Sequence, residues 1–346
     1  MIVQDSTATF PGLVDLAAER VGGKALIASD EFFAEKENLL KPGRGIFVPD
    51  KYTDRGKWMD GWESRRKRSP EGRAGTPGHD WCIIKLGLAG AIKGVDIDTN
   101  HFLGNNPAYA SIEACAAPAN ASAQSLASSK TTWVEILPKS PLKPGSQNLF
   151  PVLSAERWTH IRFNIYPDGG VARLRVYGKV MPDWSKVKKN GAIDLAAVEN
   201  GGLAVAASDM FFGNKENLIM PGRAAHMGDG WETKRRRGPG YDWVIVKLGK
   251  PGTIEKIEVD TNHFKGNFPD ACSIEICNEP DHAVDGLTHT EFDWKEILPK
   301  TKLKAHTRHF FSKELNNVGS ATHVRLNIFP DGGVSRLRVF GRINEK

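Results

Sequence analysis

The chain has 346 residues, of which 40% are hydrophobic and 25% charged, and its formal net charge is +6. That balance excludes a disordered chain, the length suits about two domains of roughly 100–200 residues each, and no apolar run approaches the roughly 20 residues of a membrane-spanning helix. The excess of base is small and dispersed apart from the run Arg65, Arg66, Lys67, Arg68. A solvated face accounts for that run, so neither a nucleic-acid nor a membrane partner is expected. The N-terminal MIVQDSTATFPGLVDL lacks a basic segment followed by an apolar stretch, so no secretory signal is expected. Cys82, Cys115, Cys272 and Cys277 form no CxxC pair and fit no common zinc spacing. They read as buried free thiols of a cytoplasmic protein.

The sequence contains itself twice. DLAAERVGGKALIASDEFFAEKENLLKPGR from Asp15 returns as DLAAVENGGLAVAASDMFFGNKENLIMPGR from Asp194, and MDGWESRRKR from Met59 as GDGWETKRRR from Gly228. DTNHFLGNNPAYASIEAC from Asp98 returns as DTNHFKGNFPDACSIEIC from Asp260, and THIRFNIYPDGGVARLRVYG from Thr159 as THVRLNIFPDGGVSRLRVFG from Thr322. Copies of about 160 residues are duplicated domains rather than the units of a solenoid, which run to about 20–50 residues. The expected domains are 1–181 and 194–346, joined by a polar linker at 182–193. The first copy is longer, chiefly through the insertions GIFVPDKYTDRGK and SPEGRAGTPG between Arg44 and Asp80.

In chain order, a short helix is expected at Lys36–Leu40 and again at Lys215–Ile219. Short runs rich in Ile, Val and aromatics follow: WCIIKLG, KGVDIDT, ASIEAC, WVEILP, a further expected strand near Asn148–Leu153, THIRFNIY and ARLRVYG. The turn clusters GLAG, HFLGNNP, SPLKPGSQ and PDGG separate them. The second copy keeps the rhythm. Many short strands with Gly/Pro turns and no long helical period predict an all-β fold of two tandem jelly-roll β-sandwiches. If successive strands alternate in direction, DGWESRR, HFLGNNP and PDGGVAR meet at one end of the first sandwich. Loops held on a rigid scaffold are where function concentrates.

Those loops supply a limited chemistry. DGWESRR carries Asp60, Glu63, Arg65 and Arg66; a carboxylate beside arginine serves as acid or base, or as a plain loop staple. DTNHFLGNNP carries Asp98, Asn100, His101 and Asn105, where His101 reads as a core group, an acid–base group or a metal ligand. YPDGGVAR carries Asp168 and Arg173, although Pro-Asp-Gly-Gly is also a good turn. No GxSxG, P-loop, HExxH or strand-borne GxGxxG is present. Residue chemistry alone therefore stops at a duplicated sandwich with a polar site on each copy, suited to catalysis or to sugar or small-anion recognition.

Taken together and in order, SDEFF…KENLL, DGWESRRKR, HDWCIIKLG, DTNHFLGNNP and YPDGGVARLRVYG resemble the allantoicase family, in both copies and over nearly the whole chain. The WxxxxLG…W…GxxRLRVxG skeleton also resembles the wider galactose-binding or discoidin-type jelly rolls. The family resemblance implies hydrolysis of allantoate to ureidoglycolate and urea in the degradation of purines for nitrogen. Allantoate is a carboxylate whose α-carbon bears two ureido groups. Such a substrate calls for an arginine at its carboxylate, and Arg66, Arg173, Arg235 and Arg336 are the candidates. Asn105 and Asn267 are suited to the ureido groups. The leaving urea calls for an acid, and water for a base or a metal. Asp60, Glu63, His101 and Asp168 are the expected catalytic groups, with Asp229, Glu232, His263 and Asp331 in the second copy. No cofactor is implied with certainty; a divalent metal would find Asp98 and His101 on one loop. Arg65 becomes Lys234 and His79 becomes Tyr241 between copies, so three readings stay open: both copies active, one of them structural, or a site formed between them. A non-enzymatic tandem sugar- or anion-binding protein, or a ureidohydrolase acting on a neighbouring metabolite such as ureidoglycolate, are the rival readings. A homo-oligomer is expected for a compact metabolic enzyme.

Overall fold

A computed structural model describes residues 10–67, 78–186, 191–279 and 292–344. Arg68, all but the last residue of the insertion SPEGRAGTPG, and part of the linker lie outside the described residues. The chain divides into two units, Met1–Met181 and Pro182–Lys346, built on one plan.

In the first unit everything is organised by one strand, Asp80–Asp98. Its first half pairs with Lys24–Ala28 and Trp158–Tyr166, its second half with Gln147–Pro151 and Arg173–Val180. Tyr109–Cys115 lies beyond Trp158–Tyr166, with Val134–Pro141 outside it. Straight, a strand of 19 residues would span roughly 60 Å at about 3.3 Å per residue. Yet Asp80 pairs with Ile165 and Asp98 with Arg173, and the chain between Ile165 and Arg173 reaches at most about 28 Å. The strand is therefore folded back on itself, and its two halves belong to the two faces of a sandwich.

The fold lies in Gly87-Leu88-Ala89-Gly90. A Cβ on Gly87 would sit 2.4 Å from the Val21 carbonyl oxygen, and one on Gly90 2.2 Å from that of Lys179. Backbone passes too close at both points for any side chain. In the second unit the counterpart is Asp242–Asp260, where Cβ atoms on Gly249 and Gly252 would meet the carbonyl oxygens of Asn200 at 1.8 Å and Arg342 at 2.5 Å. Between the faces of unit one, Ile84, Ile92, Ile97, Ile112, Phe163 and Val176 are all buried. Burying each such side chain is worth roughly 1.5–3 kcal/mol.

The molecule is thus all-β, two tandem jelly-roll repeats, as the strand rhythm predicts. The details differ in three places. GLAG was expected to separate two strands; the ladder instead runs through it, because both flanking halves keep partners up to the bend. The expected short helices are 3₁₀ turns at Lys36–Leu40 and Lys215–Ile219, closed by i→i+3 bonds such as Lys41 N–H to Asn38 O. One helix was not foreseen, Ala123–Ala127, whose cap is the Ser122 hydroxyl accepting from Ser125 N–H.

Candidate active site

Because the long strand folds back, both of its ends open at the same end of the sandwich. Three loops meet there. Trp62–Glu63 pairs with Gly170–Val171, and the Gly170 N–H donates to Asn105 O at 2.7 Å. Ser64 and Gly169 exchange bonds, Ser64 N–H to Gly169 O and Gly169 N–H to Ser64 Oγ. Phe102, wholly buried, is the floor of the junction. Cβ atoms on Gly61 and Gly170 would lie 2.8 and 2.0 Å from its ring carbons, which is why both loops carry glycine against it. The neighbouring Gly169 has φ +132°, a conformation closed to L side chains. Trp62 is buried and anchors its loop by donating Nε1–H to Asp30 O at 2.8 Å.

The singled-out residues divide by position. Asp60 and Arg173 form a buried ion pair at 2.8 Å, and Arg173 also donates to the carbonyls of Asp60 and Ala172. Burial alone would raise Asp60; the Arg173 guanidinium and the Ile46 N–H outweigh it and hold the carboxyl below its usual range. Asp98 receives a two-pronged Arg44 at 2.8 and 2.9 Å. Asp168, buried, accepts from Arg66 at 3.1 Å and from the Lys67 N–H at 2.6 Å. These pairs make the frame of the loops. Asp60 and Asp168 were singled out as catalytic and Arg66 and Arg173 as carboxylate holders; the fold sets them in ion pairs with one another. Asp98, the candidate metal ligand beside His101, accepts from Arg44 on both oxygens. Among the described residues no group of three or more His, Cys, Asp or Glu side chains is arranged to hold a metal ion.

Glu63, His101 and Asn105 stand apart from that frame. All three line a cavity of about 330 Å³ with Phe33, Phe47, Lys57, Met59, Leu103 and Gly104. Asn105 donates its amide to one oxygen of Glu63 at 2.7 Å. Burial raises the Glu63 pKa above the usual carboxyl value, against the smaller opposing pull of Asn105 and Arg66. His101 stacks on Phe47 with ring centroids 5.6 Å apart. Its φ is +66°, and His263 repeats this at +70°. A left-handed non-glycine backbone costs roughly 1–2 kcal/mol, and strain of that kind collects at functional sites.

The second unit reproduces the frame with fewer walls. Arg336 pairs with Asp229 at 2.9 Å, Arg223 with Asp260 at 3.1 Å, and Asp331 accepts from the Arg236 N–H at 2.8 Å. Asn267 donates to Glu232, and Arg235 is exposed. His263, however, is held by two neighbours: its Nε2 lies 3.0 Å from Ala224 O, and its N–H donates to His306 Nδ1 at 2.8 Å. Only Ala224–Met227 separates Arg223 from Gly228, where the first copy has the whole stretch containing Phe47 and Lys57. The other differences between copies lie in the frame. Arg65 grips Asp30 at 2.7 Å where Lys234 approaches Asp209 at 3.7 Å. His79 packs on Tyr166 where Tyr241 packs on Phe329. Residue chemistry passed over Phe47, Lys57 and Arg44. The insertion present in one copy, and the KPGR/MPGR repeat, were the signals for them.

A carboxyl group whose pKa burial raises and a histidine thus line one cavity, a combination that acid–base chemistry can use. The fold defines a protein of two tandem β-sandwich repeats. The family model for the allantoicase repeat matches residues 14–181 and 193–344. A probable allantoicase of Burkholderia mallei is 51% identical over 332 residues, 96% of this chain and 95% of its own. The allantoicase of Dictyostelium discoideum is 52% identical over 326 residues, 94% of this chain and 86% of its own. A crystal structure of allantoicase from Saccharomyces cerevisiae superposes with a TM-score of 0.79 at 39% identity, covering 95% of this chain and 92% of that one. The chain belongs to the allantoicase family.

Proposed function

We propose that the protein hydrolyses allantoate to ureidoglycolate and urea, the reaction of its family and a step of purine degradation, and that it does so in the cavity of the first repeat. The observation that supports this location is the joint lining of one cavity by Glu63, His101 and Asn105, with His101 left unclamped where His263 is tied to Ala224 and His306.

The chemistry follows from the groups present. Cleaving the bond between the α-carbon and one ureido nitrogen sends the electron pair to that nitrogen. Glu63, kept protonatable by burial, donates the proton that lets urea leave neutral. Water forms the new C–O bond at the α-carbon, and His101 takes its proton. The Asn105 amide, already on Glu63, is placed for hydrogen bonds to a ureido group. Asp60, Asp98 and Asp168, with their arginines, hold the three loops in register. A metal-assisted route to the water is tested by chelation and add-back rather than by the donor geometry.

The test is urea release from allantoate by the purified protein. His101→Ala is expected to lower kcat by about 100-fold or more, the usual contribution of a general base. Wild-type turnover in His101→Ala, or no urea and ureidoglycolate from the parent protein, would overturn the reading.

We also infer a self-associating cytoplasmic enzyme. In support, all four cysteines are buried free thiols, which suits a reducing compartment, and compact metabolic enzymes are commonly symmetric oligomers. No helix among the described residues is long and apolar enough to cross a membrane.

A further inference from the structure

The cavity of the first repeat needs a cation for an anionic substrate, and the arginines around it are already engaged. Arg44 forks onto Asp98, Arg66 divides its donors between Asp168 and the Gly104 carbonyl, and Arg173 reaches the Asp60 carboxylate and the carbonyls of Asp60 and Ala172. Lys57 is different. It ends the small hairpin in which Tyr52–Thr53 pairs with Gly56–Lys57, and it lines the cavity with Glu63, His101 and Asn105. Its ammonium lies 5.0 Å from the ring centroid of Phe47 and 4.7 Å from that of Tyr52. The side chain is half-buried, and among the described residues no carboxylate pairs with it. Aromatic faces offset only part of the lost hydration of an ammonium. A half-buried lysine with two rings and no carboxylate partner among the described residues, at the wall of a cavity it shares with Glu63, His101 and Asn105, is a site for an incoming carboxylate.

We propose that Lys57 binds the carboxylate of the substrate and is the residue by which the first repeat selects an anionic bis-ureide over a neutral one. The inference rests on the first-repeat cavity being the active site. The second repeat has no counterpart to this hairpin, because Ala224–Met227 is all that stands in its place. The same hairpin therefore separates the two copies in both shape and charge.

The experiment compares the wild-type protein with Lys57→Met and Lys57→Arg. KM and kcat are measured for allantoate, and the inhibition constant is measured for the neutral carboxamide of allantoate. Loss of one charge-assisted contact raises KM for allantoate about 10- to 100-fold in Lys57→Met. The kcat stays near wild type, the carboxamide binds both proteins equally, and Lys57→Arg recovers most of the affinity. An unchanged KM, or an equal weakening of allantoate and carboxamide, would overturn the proposal. The His101→Ala protein is assayed alongside. If it is inactive while Lys57→Met is normal, Lys57 is eliminated and the cavity stands. If His101→Ala is also normal, the cavity itself is the wrong place and the inference goes with it.

Discussion

Glu63→Gln is expected to lower the turnover of allantoate by about 10²- to 10⁴-fold, the range for removing a general acid, with little change in stability. The substitution is close to isosteric. The glutamine oxygen still accepts the 2.7 Å bond from Asn105, and the backbone pairing of this residue with Gly170 is untouched. What disappears is the transferable proton. Burial raises the Glu63 pKa, over the opposition of Asn105 and Arg66, so the neutral acid persists to higher pH than an exposed glutamate would allow. The sign for activity follows: Glu63 acts while protonated, and its contribution declines as pH rises through that raised pKa. The wild-type kcat profile is therefore expected to show an alkaline decline that Glu63→Gln lacks. Urea release across pH checks both parts. A variant that retained full turnover, or kept the same decline, would remove Glu63 from the acid role.

Arg173→Met is expected to destabilise the first repeat by about 3–5 kcal/mol, the cost of breaking a buried ion pair by deleting one partner. Asp60 and Arg173 are 8% and 4% exposed, so Asp60 would be left with its charge in a site closed to water. The loss reaches further than the pair. The same Asp60 oxygen that meets Arg173 accepts the Ile46 N–H at 2.9 Å, and Ile46 is the second residue of the insertion that carries Phe47 and Lys57. For a unit of this size about 2–4 °C is lost per kcal/mol, so thermal unfolding would show a first transition lowered by roughly 6–20 °C. Asp60 is held below the usual carboxyl range, so the stability it contributes is present at neutral pH and lost as pH falls through its depressed value. An Arg173→Met protein that melted with the wild type would contradict the role of the pair as the base of the loops.

These two cases show where sequence reading works. The strands were legible because their runs of Ile, Val and aromatics are local, and the duplication was legible because whole motifs return. The meeting of DGWESRR, HFLGNNP and PDGGVAR followed from strand direction alone. Partner choice was not legible. Asp60 and Arg173 are far apart in the chain and next to each other in the loops, and composition could not separate a paired carboxylate from one facing a cavity. Asp168 and Glu63 look equally acidic in sequence; only burial and neighbours set one on Arg66 and Lys67 and the other on a single amide. The fold-back at Gly87–Gly90 was legible as a turn but not as a continuous ladder, because its continuity depends on strands contributed from distant segments. The insertion was visible as extra length in one copy, but its effect of stacking Phe47 on His101 and bringing Lys57 to the same cavity exists only after folding.

The claim that the first repeat carries the hydrolysis is tested most directly by urea release from allantoate, with Glu63→Gln set beside a protein altered only in the second repeat, Glu232→Gln with His263→Ala. The account predicts loss of activity in the first and turnover within about threefold of wild type in the second, as expected for side chains outside the reacting site. Equal loss in both proteins, or loss only in the second, would contradict it and move the chemistry to the second repeat or to both.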